Sequence, residues 1–178
     1  MRIILVTGGA RAGKSRWAEE EASRIAGDDV AYIATAEPRD DEMRARIAAH
    51  RASRPSTWAT LEVPRLVPEA VDAAPGALVL LDCLTLWVSN LLLEHPEGVG
   101  STGSRVDGIH ARVEALLEAA HTRDGTLLIV TNEVGLGLVP DNPLGRAYRD
   151  VLGWANARVA RDAERVVLMV AGISVAVK

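Results

Sequence analysis

Residues 1–20 read MRIILVTGGARAGKSRWAEE, and the fold turns on what joins the apolar run at 3–6 to the charged run that starts at Lys14. The stretch GGARAGKS, residues 8–15, matches G-x-x-x-x-G-K-[ST], with Gly8, Gly13, Lys14 and Ser15 at its fixed positions. Placed after a strand and before a helix, that spacing is what a phosphate-binding loop needs. Glycines let backbone N–H groups turn inward around phosphate oxygens, and the first helical turn brings its positive dipole end. Lys14 is placed to reach the β and γ phosphates, and the Ser15 hydroxyl to ligate Mg²⁺. Gly8, Gly9, Ala10, Arg11, Ala12, Gly13, Lys14 and Ser15 are therefore expected to cradle a nucleoside triphosphate.

Outward from this loop, strands and helices alternate. Apolar runs at 2–7, 30–35, 77–82, 126–131 and 166–170 read as strands, several too continuously apolar for a sheet covered on one face only. Helical patterns lie between them at 14–26, 40–52, about 64–73, 84–93, 106–122 and 143–163. The last is the clearest: Leu144, Ala147, Tyr148, Val151, Leu152, Ala155 and Val159 form one stripe, Asn142 is placed as N-cap, and Pro143 takes the first helical position. A further strand is expected at 58–63, and GISVAVK is expected to close the sheet as a hairpin after Gly172. The pattern is that of a P-loop NTPase-like α/β fold, a mainly parallel doubly wound sheet with helices on both faces. EHPEGVGSTGS, residues 94–104, has the composition of a loop.

At 178 residues and 48% hydrophobic, the chain is expected to be a single nucleotide-binding domain over 1–178. Twenty basic against 24 acidic residues give a net charge of −4, which leaves no basic footprint for nucleic acid. One cysteine, Cys83, excludes an internal disulfide. No 18-residue apolar span appears, so no membrane span is expected and the chain reads as cytoplasmic. The helix LTLWVSNLLL is apolar on more than one face, an expectation of burial against both the sheet and another subunit.

Three more segments carry candidate chemistry. Asp82, at the carboxyl end of the strand GALVLLD, is placed as the acid that orients Mg²⁺, with an N-cap role for the following helix as the structural alternative. In the helix over 40–52, Met43, Ile47 and His50 share a stripe while Arg44, Arg46 and Arg51 fan out beside it. From the residues alone His50 is either a partly buried, hydrogen-bonded side chain or a group for phosphate chemistry beside guanidinium groups. His95, His110 and His121 lie without an acidic partner at ligand spacing and receive no role. TNEVGLGLVPDNPLGR follows a strand's carboxyl end, where Asn132 and Glu133 either face the site or belong to a plain turn. The Asn-Lys-x-Asp signature of switch GTPases is absent, Asn132 being followed by Glu133.

Taken together, VTGGARAGKSRWAE, YIATAEPRDDEMRARIAAHRASRP and VTNEVGLGLVPDNPLGRAYRD resemble the bifunctional adenosylcobinamide kinase / adenosylcobinamide-phosphate guanylyltransferase family of cobalamin biosynthesis, nearly end to end. The resemblance implies that ATP or GTP phosphorylates a hydroxyl on the aminopropanol arm of adenosylcobinamide. GTP then guanylylates a histidine with release of pyrophosphate, and the GMP passes to adenosylcobinamide phosphate to give adenosyl-GDP-cobinamide. The family's guanylylated histidine matches His50. Its nucleotide contacts match the loop, Ile33, Ala34 and Thr35, the segment Arg51, Ala52, Ser53 and Arg54, then Glu62 and Asp82; its magnesium is implied at Ser15 and Asp82. A homotrimer is also implied. Two positions depart from the pattern: Ala49 stands where some members carry a second histidine, and Asp82 where some carry glutamate. The alternative reading is a P-loop switch or a small-molecule kinase without nucleotidyl transfer. A covalent nucleotide on His50 separates it from the transferase.

Overall fold

A computed structural model describes residues 1–52, 54–94 and 102–178. Among them, strands β1 (Arg2–Gly8), β2 (Val30–Ala34), β3 (Ala59–Glu62), β4 (Leu78–Asp82), β5 (Thr126–Val130), β6 (Arg165–Val170) and β7 (Ile173–Ala176) form one sheet. Its order is β3-β2-β4-β5-β1-β6-β7. Neighbours are parallel throughout except β6 and β7, the hairpin expected at the end of the chain. The helices are α1 (Lys14–Ala26), α2 (Asp41–Ala52), α3 (Val67–Ala73), α4 (Leu84–Leu92), α5 (Thr102–Thr122) and α6 (Pro143–Asp162).

The continuous apolar runs follow from burial on both faces. Within β1, Ile3 and Leu5 join one core with Val71 of α3, Trp87 of α4, Val113 of α5 and Leu152 of α6. Ile4 and Val6 point the other way, into a second core with Ala18 and Ala22 of α1. Right-handed crossovers require the split: the chain moves from β1 to β2 under α1, reverses direction, and returns over the opposite face. Asn142 caps α6 as its spacing implies, its Oδ1 accepting from the Gly145 N–H at 2.7 Å.

Two expectations are corrected. Helix α4 does bury more than one face, but α5, α6 and the sheet of the same chain cover it, so its apolar surface is no argument for a second subunit. The expected loop over 94–104 falls largely outside the described residues, and 102–104 already belong to α5. Helix α2 differs from the rest. It buries no residue, and only Met43, Ile47 and His50 are half-covered, the three that shared a stripe in the sequence.

Gly125, ahead of β5, has φ +105, and a Cβ there would stand 2.3 Å from the Ala77 carbonyl oxygen. Gly153 lies inside α6 with nothing within 4 Å of an added Cβ. Gly125→Ala is expected to lower stability by about 1–3 kcal/mol, and Gly153→Ala to raise it by about 0.5–1 kcal/mol. Urea denaturation midpoints at unchanged m check both signs.

Candidate functional site

The 8–15 segment forms the expected loop between β1 and α1. Gly8 has φ +149, and a Cβ would stand 2.4 Å from the Met169 carbonyl oxygen on β6, so only glycine lets β1 end this close to its neighbour. Gly13, with φ +92, takes the N-cap of α1 and offers no side-chain bond, leaving the first-turn N–H groups for a ligand. Lys14 is buried, and its Nζ donates to the Gly9 carbonyl oxygen at 2.6 Å. Burial pulls its pKa below the ordinary lysine value; the Asp82 charge opposes that and the Arg46 charge adds to it. The loop is propped from behind, where the Gly172 N–H donates to the Ala12 carbonyl at 3.2 Å and the Glu133 N–H to that of Gly8 at 3.1 Å.

Asp82 ends β4, within electrostatic reach of Lys14. It does not cap α4. Cys83 does, its Sγ accepting from the Leu86 N–H at 3.4 Å, which overturns the structural alternative for Asp82. The Tyr32 hydroxyl donates to Asp82 Oδ2 at 2.7 Å. A carboxylate tied by one oxygen and a hydroxyl at half-buried Ser15 suit Mg²⁺, which keeps most of its ligands as water and phosphate oxygens. No group of three or more His, Cys, Asp or Glu side chains able to hold a metal occurs among the described residues.

The charge of Arg46 on α2 lowers the Lys14 pKa, and His50 lies one turn beyond Arg46 on the same helix. The 33–35 and 51–54 segments answer differently. Ile33 is sealed in the core, and Thr35 is buried, exchanging two 2.8 Å hydrogen bonds with the backbone of Cys83. Ala34 is half-covered at the end of β2. Arg51 is exposed and pairs with Glu62 at 3.4 Å. Ala52 is exposed, and Ser53 lies outside the described residues. Arg54 turns inward, its guanidinium 3.5 Å from the Tyr32 ring centroid. Its Nε stands 4.0 Å from Glu19 Oε1, and burial raises the Glu19 pKa.

The sequence reading missed Tyr32 and Glu19. Tyr32 carried one signal, a hydroxyl in an otherwise apolar strand. Glu133 spends its carboxylate on its own turn, accepting from the Gly135 N–H at 2.5 Å. The Asn132 backbone sits in a net of polar bonds with Thr85 and Asn156. Of the histidines given no role, His110 stacks on Trp154 at 3.7 Å and His121 does meet an acid, Asp162 at 3.6 Å across the helices; His95 lies outside the described residues.

Comparison with known proteins gives one family. The model of the family described as cobinamide kinase / cobinamide phosphate guanyltransferase matches residues 4–177. The chain is 45% identical over 177 residues to the bifunctional adenosylcobalamin biosynthesis protein CobP of Pseudomonas aeruginosa, covering 98% of this chain and 96% of the relative. It is 41% identical over 186 residues to CobU of Escherichia coli, a protein of the same description, covering 99% of each. In fold it is similar to the flagellar accessory protein FlaH of Methanocaldococcus jannaschii, at TM-score 0.52 and 12% identity over 99% of this chain and 78% of that one.

Lys14 is the residue on which the loop's charge rests. Lys14→Ala is expected to cut the turnover of any bound triphosphate by roughly 10²–10³-fold. It should leave the melting temperature equal or higher, because the replaced ammonium is desolvated. Steady-state kinetics and thermal melts read the two effects separately.

Proposed function

The chain belongs to the cobinamide kinase / cobinamide phosphate guanyltransferase family, and on that premise we propose that both reactions use the one loop at 8–15, with His50 as the covalent carrier of GMP. What supports this is the family match over residues 4–177 together with the loop itself, whose α1 N–H groups are left free beside buried Lys14.

In the kinase step the hydroxyl oxygen of adenosylcobinamide attacks the γ-phosphorus of ATP or GTP. The bond to the bridging oxygen breaks, the diphosphate leaves, and the hydroxyl proton is lost. Lys14 and the free N–H groups of the first α1 turn hold the β and γ oxygens as charge shifts toward the leaving group. In the transfer step, a ring nitrogen of neutral His50 attacks the α-phosphorus of GTP, and pyrophosphate departs with the electrons of the broken P–O bond. The other ring nitrogen sheds its proton. An oxygen of adenosylcobinamide phosphate then attacks the same phosphorus, the P–N bond breaks, and the imidazole recovers a proton as adenosyl-GDP-cobinamide forms. Exposed Arg51, beside Glu62, is the guanidinium nearest in sequence to this exchange.

Magnesium, when bound, would be held by the Ser15 hydroxyl and by the Asp82 oxygen that Tyr32 leaves free, and it supplies positive charge to the phosphate oxygens. The remaining nucleotide contacts are proposed at Gly8 to Gly13, at 33–35 and at 51–54, with the chain folded as one domain. The 33–35 contribution would come from the backbone, since Ile33 and Thr35 are sealed. A cytoplasmic location is part of this proposal; no described helix is long and apolar enough to cross a membrane. For the homotrimer, the surfaces to be covered are Leu136, Leu138 and Val139 ahead of α6, and Ile173, Val175 and Val177 at the β7 edge, all exposed.

Incubation with GTP followed by intact-mass measurement is expected to show one added GMP, labile in acid and stable in base. His50→Ala should show none while still phosphorylating adenosylcobinamide. A mass unchanged by GTP would leave a kinase without nucleotidyl transfer.

A further inference from the structure

Helix α2 carries His50 and buries no residue of its own. Two residues past its end, the Arg54 side chain leaves the surface and is 6% exposed. Its guanidinium lies 3.5 Å from the Tyr32 ring centroid, within cation–π range. Tyr32 is itself 2% exposed, and its hydroxyl donates to Asp82 Oδ2 at 2.7 Å. Glu19 of α1 completes the cluster: its Oε1 and Arg54 Nε, 4.0 Å apart, are buried atoms with no hydrogen-bond partner among the described residues. A guanidinium buried with Nε unpaired depends on the ring beneath it and on the nearby Glu19 carboxylate for its place.

We propose that Tyr32 is a positioning residue for both halves of the site: its hydroxyl turns Asp82 so that one oxygen faces the magnesium position, and its ring seats Arg54, which fixes the end of the His50 helix. Resting on the roles given above to His50 and Asp82, this bridge joins the residue that carries GMP to the acid that serves the triphosphate. The side-chain type is what the geometry demands. Phenylalanine would keep the seat and lose the tie to Asp82. Leucine would lose both. A tie of this kind to a metal-binding carboxylate is worth about 10–100-fold in metal affinity or activity.

Two readouts without turnover test the bridge. The first is calorimetric binding of guanosine α,β-methylene triphosphate, which His50 cannot cleave, across a range of Mg²⁺ concentrations. The second is hydrogen exchange of residues 41–52 in the nucleotide-free protein. Tyr32→Phe is expected to raise the half-saturating Mg²⁺ about tenfold and to leave α2 exchange unchanged. Arg54→Ala is expected to speed exchange in the last turn of α2 severalfold. Arg54→Lys, which keeps a cation over the ring, should restore part of the protection. Tyr32→Leu should show both defects; should it not fold, Arg54→Ala reads the same contact from the other side. A Mg²⁺ midpoint for Tyr32→Phe within twofold of the parent overturns the tie to Asp82, and α2 exchange unmoved by Arg54→Ala overturns the seat. Loss of the covalent label alone, with both effects present, would overturn the transferase route and not the bridge.

Discussion

The buried Lys14 ammonium is the constraint to which the rest of the site answers. Its only hydrogen bond among the described residues is to the Gly9 carbonyl, and the Asp82 carboxylate compensates it through charge rather than contact. A desolvated cation beside the unsatisfied N–H groups of a helix start is costly in the free protein, and an anion relieves both at once. The backbone around it is shaped to hold that arrangement. β1 runs so close to β6 that Gly8 admits no side chain, and the turn before β7 reaches forward to bond Ala12. The strand order thus does more than bury the central strands: it places β5 and β6 on either side of the loop, as props that keep the lysine covered.

Much of this was legible in the sequence, for reasons that differ by element. The strands show because a twice-covered parallel sheet demands unbroken apolar runs, and the loop shows because its glycines and lysine have no substitutes. Helix α6 shows because Asn142, Pro143 and a long stripe all agree. What escaped was what depends on partners distant along the chain. Nothing local says that Cys83 rather than Asp82 caps α4, or that Asp82 is met by a hydroxyl 50 residues earlier. The apolar faces of α4 suggested a neighbouring subunit because pattern alone cannot tell which surface covers a helix, and here α5 and α6 do. His50 stayed ambiguous from the residues because α2 is half-detached, and its weak stripe reads alike as a surface helix or a poised one. Only the resemblance singled it out.

The weak attachment of α2 is also what the chemistry asks of it. In the proposed scheme one loop presents the γ-phosphorus to a hydroxyl in one reaction and the α-phosphorus to an imidazole in the other. These atoms are two phosphates apart along the same chain, so the nucleophile, not the cradle, has to change. A helix built into the core could not be approached by an acceptor as large as a corrinoid. An untethered one would forfeit the orientation that makes an imidazole effective, since misplacement by about 1 Å can cost 10²-fold. Holding the helix at its ends resolves the conflict. Arg39 bonds Glu37 and Asn90 ahead of it, while Arg51 meets Glu62 and Arg54 plugs into the buried cluster behind.

The division of labour extends to the surface. The loop follows β1, Asp82 ends β4 and the His50 helix follows β2, so all three stand at the carboxyl ends of their strands. Of the exposed apolar residues, 136–139 follow the segment that bonds Gly8 through Glu133 and Ile173 follows the turn that bonds Ala12, while Val175 and Val177 run on toward the amino end of β6. A second copy docked on either surface would border the loop from the β5 and β6 side, away from β2 and β3, where α2 ends. Association there would therefore add a wall to the space in front of the phosphates, where an acceptor must stand.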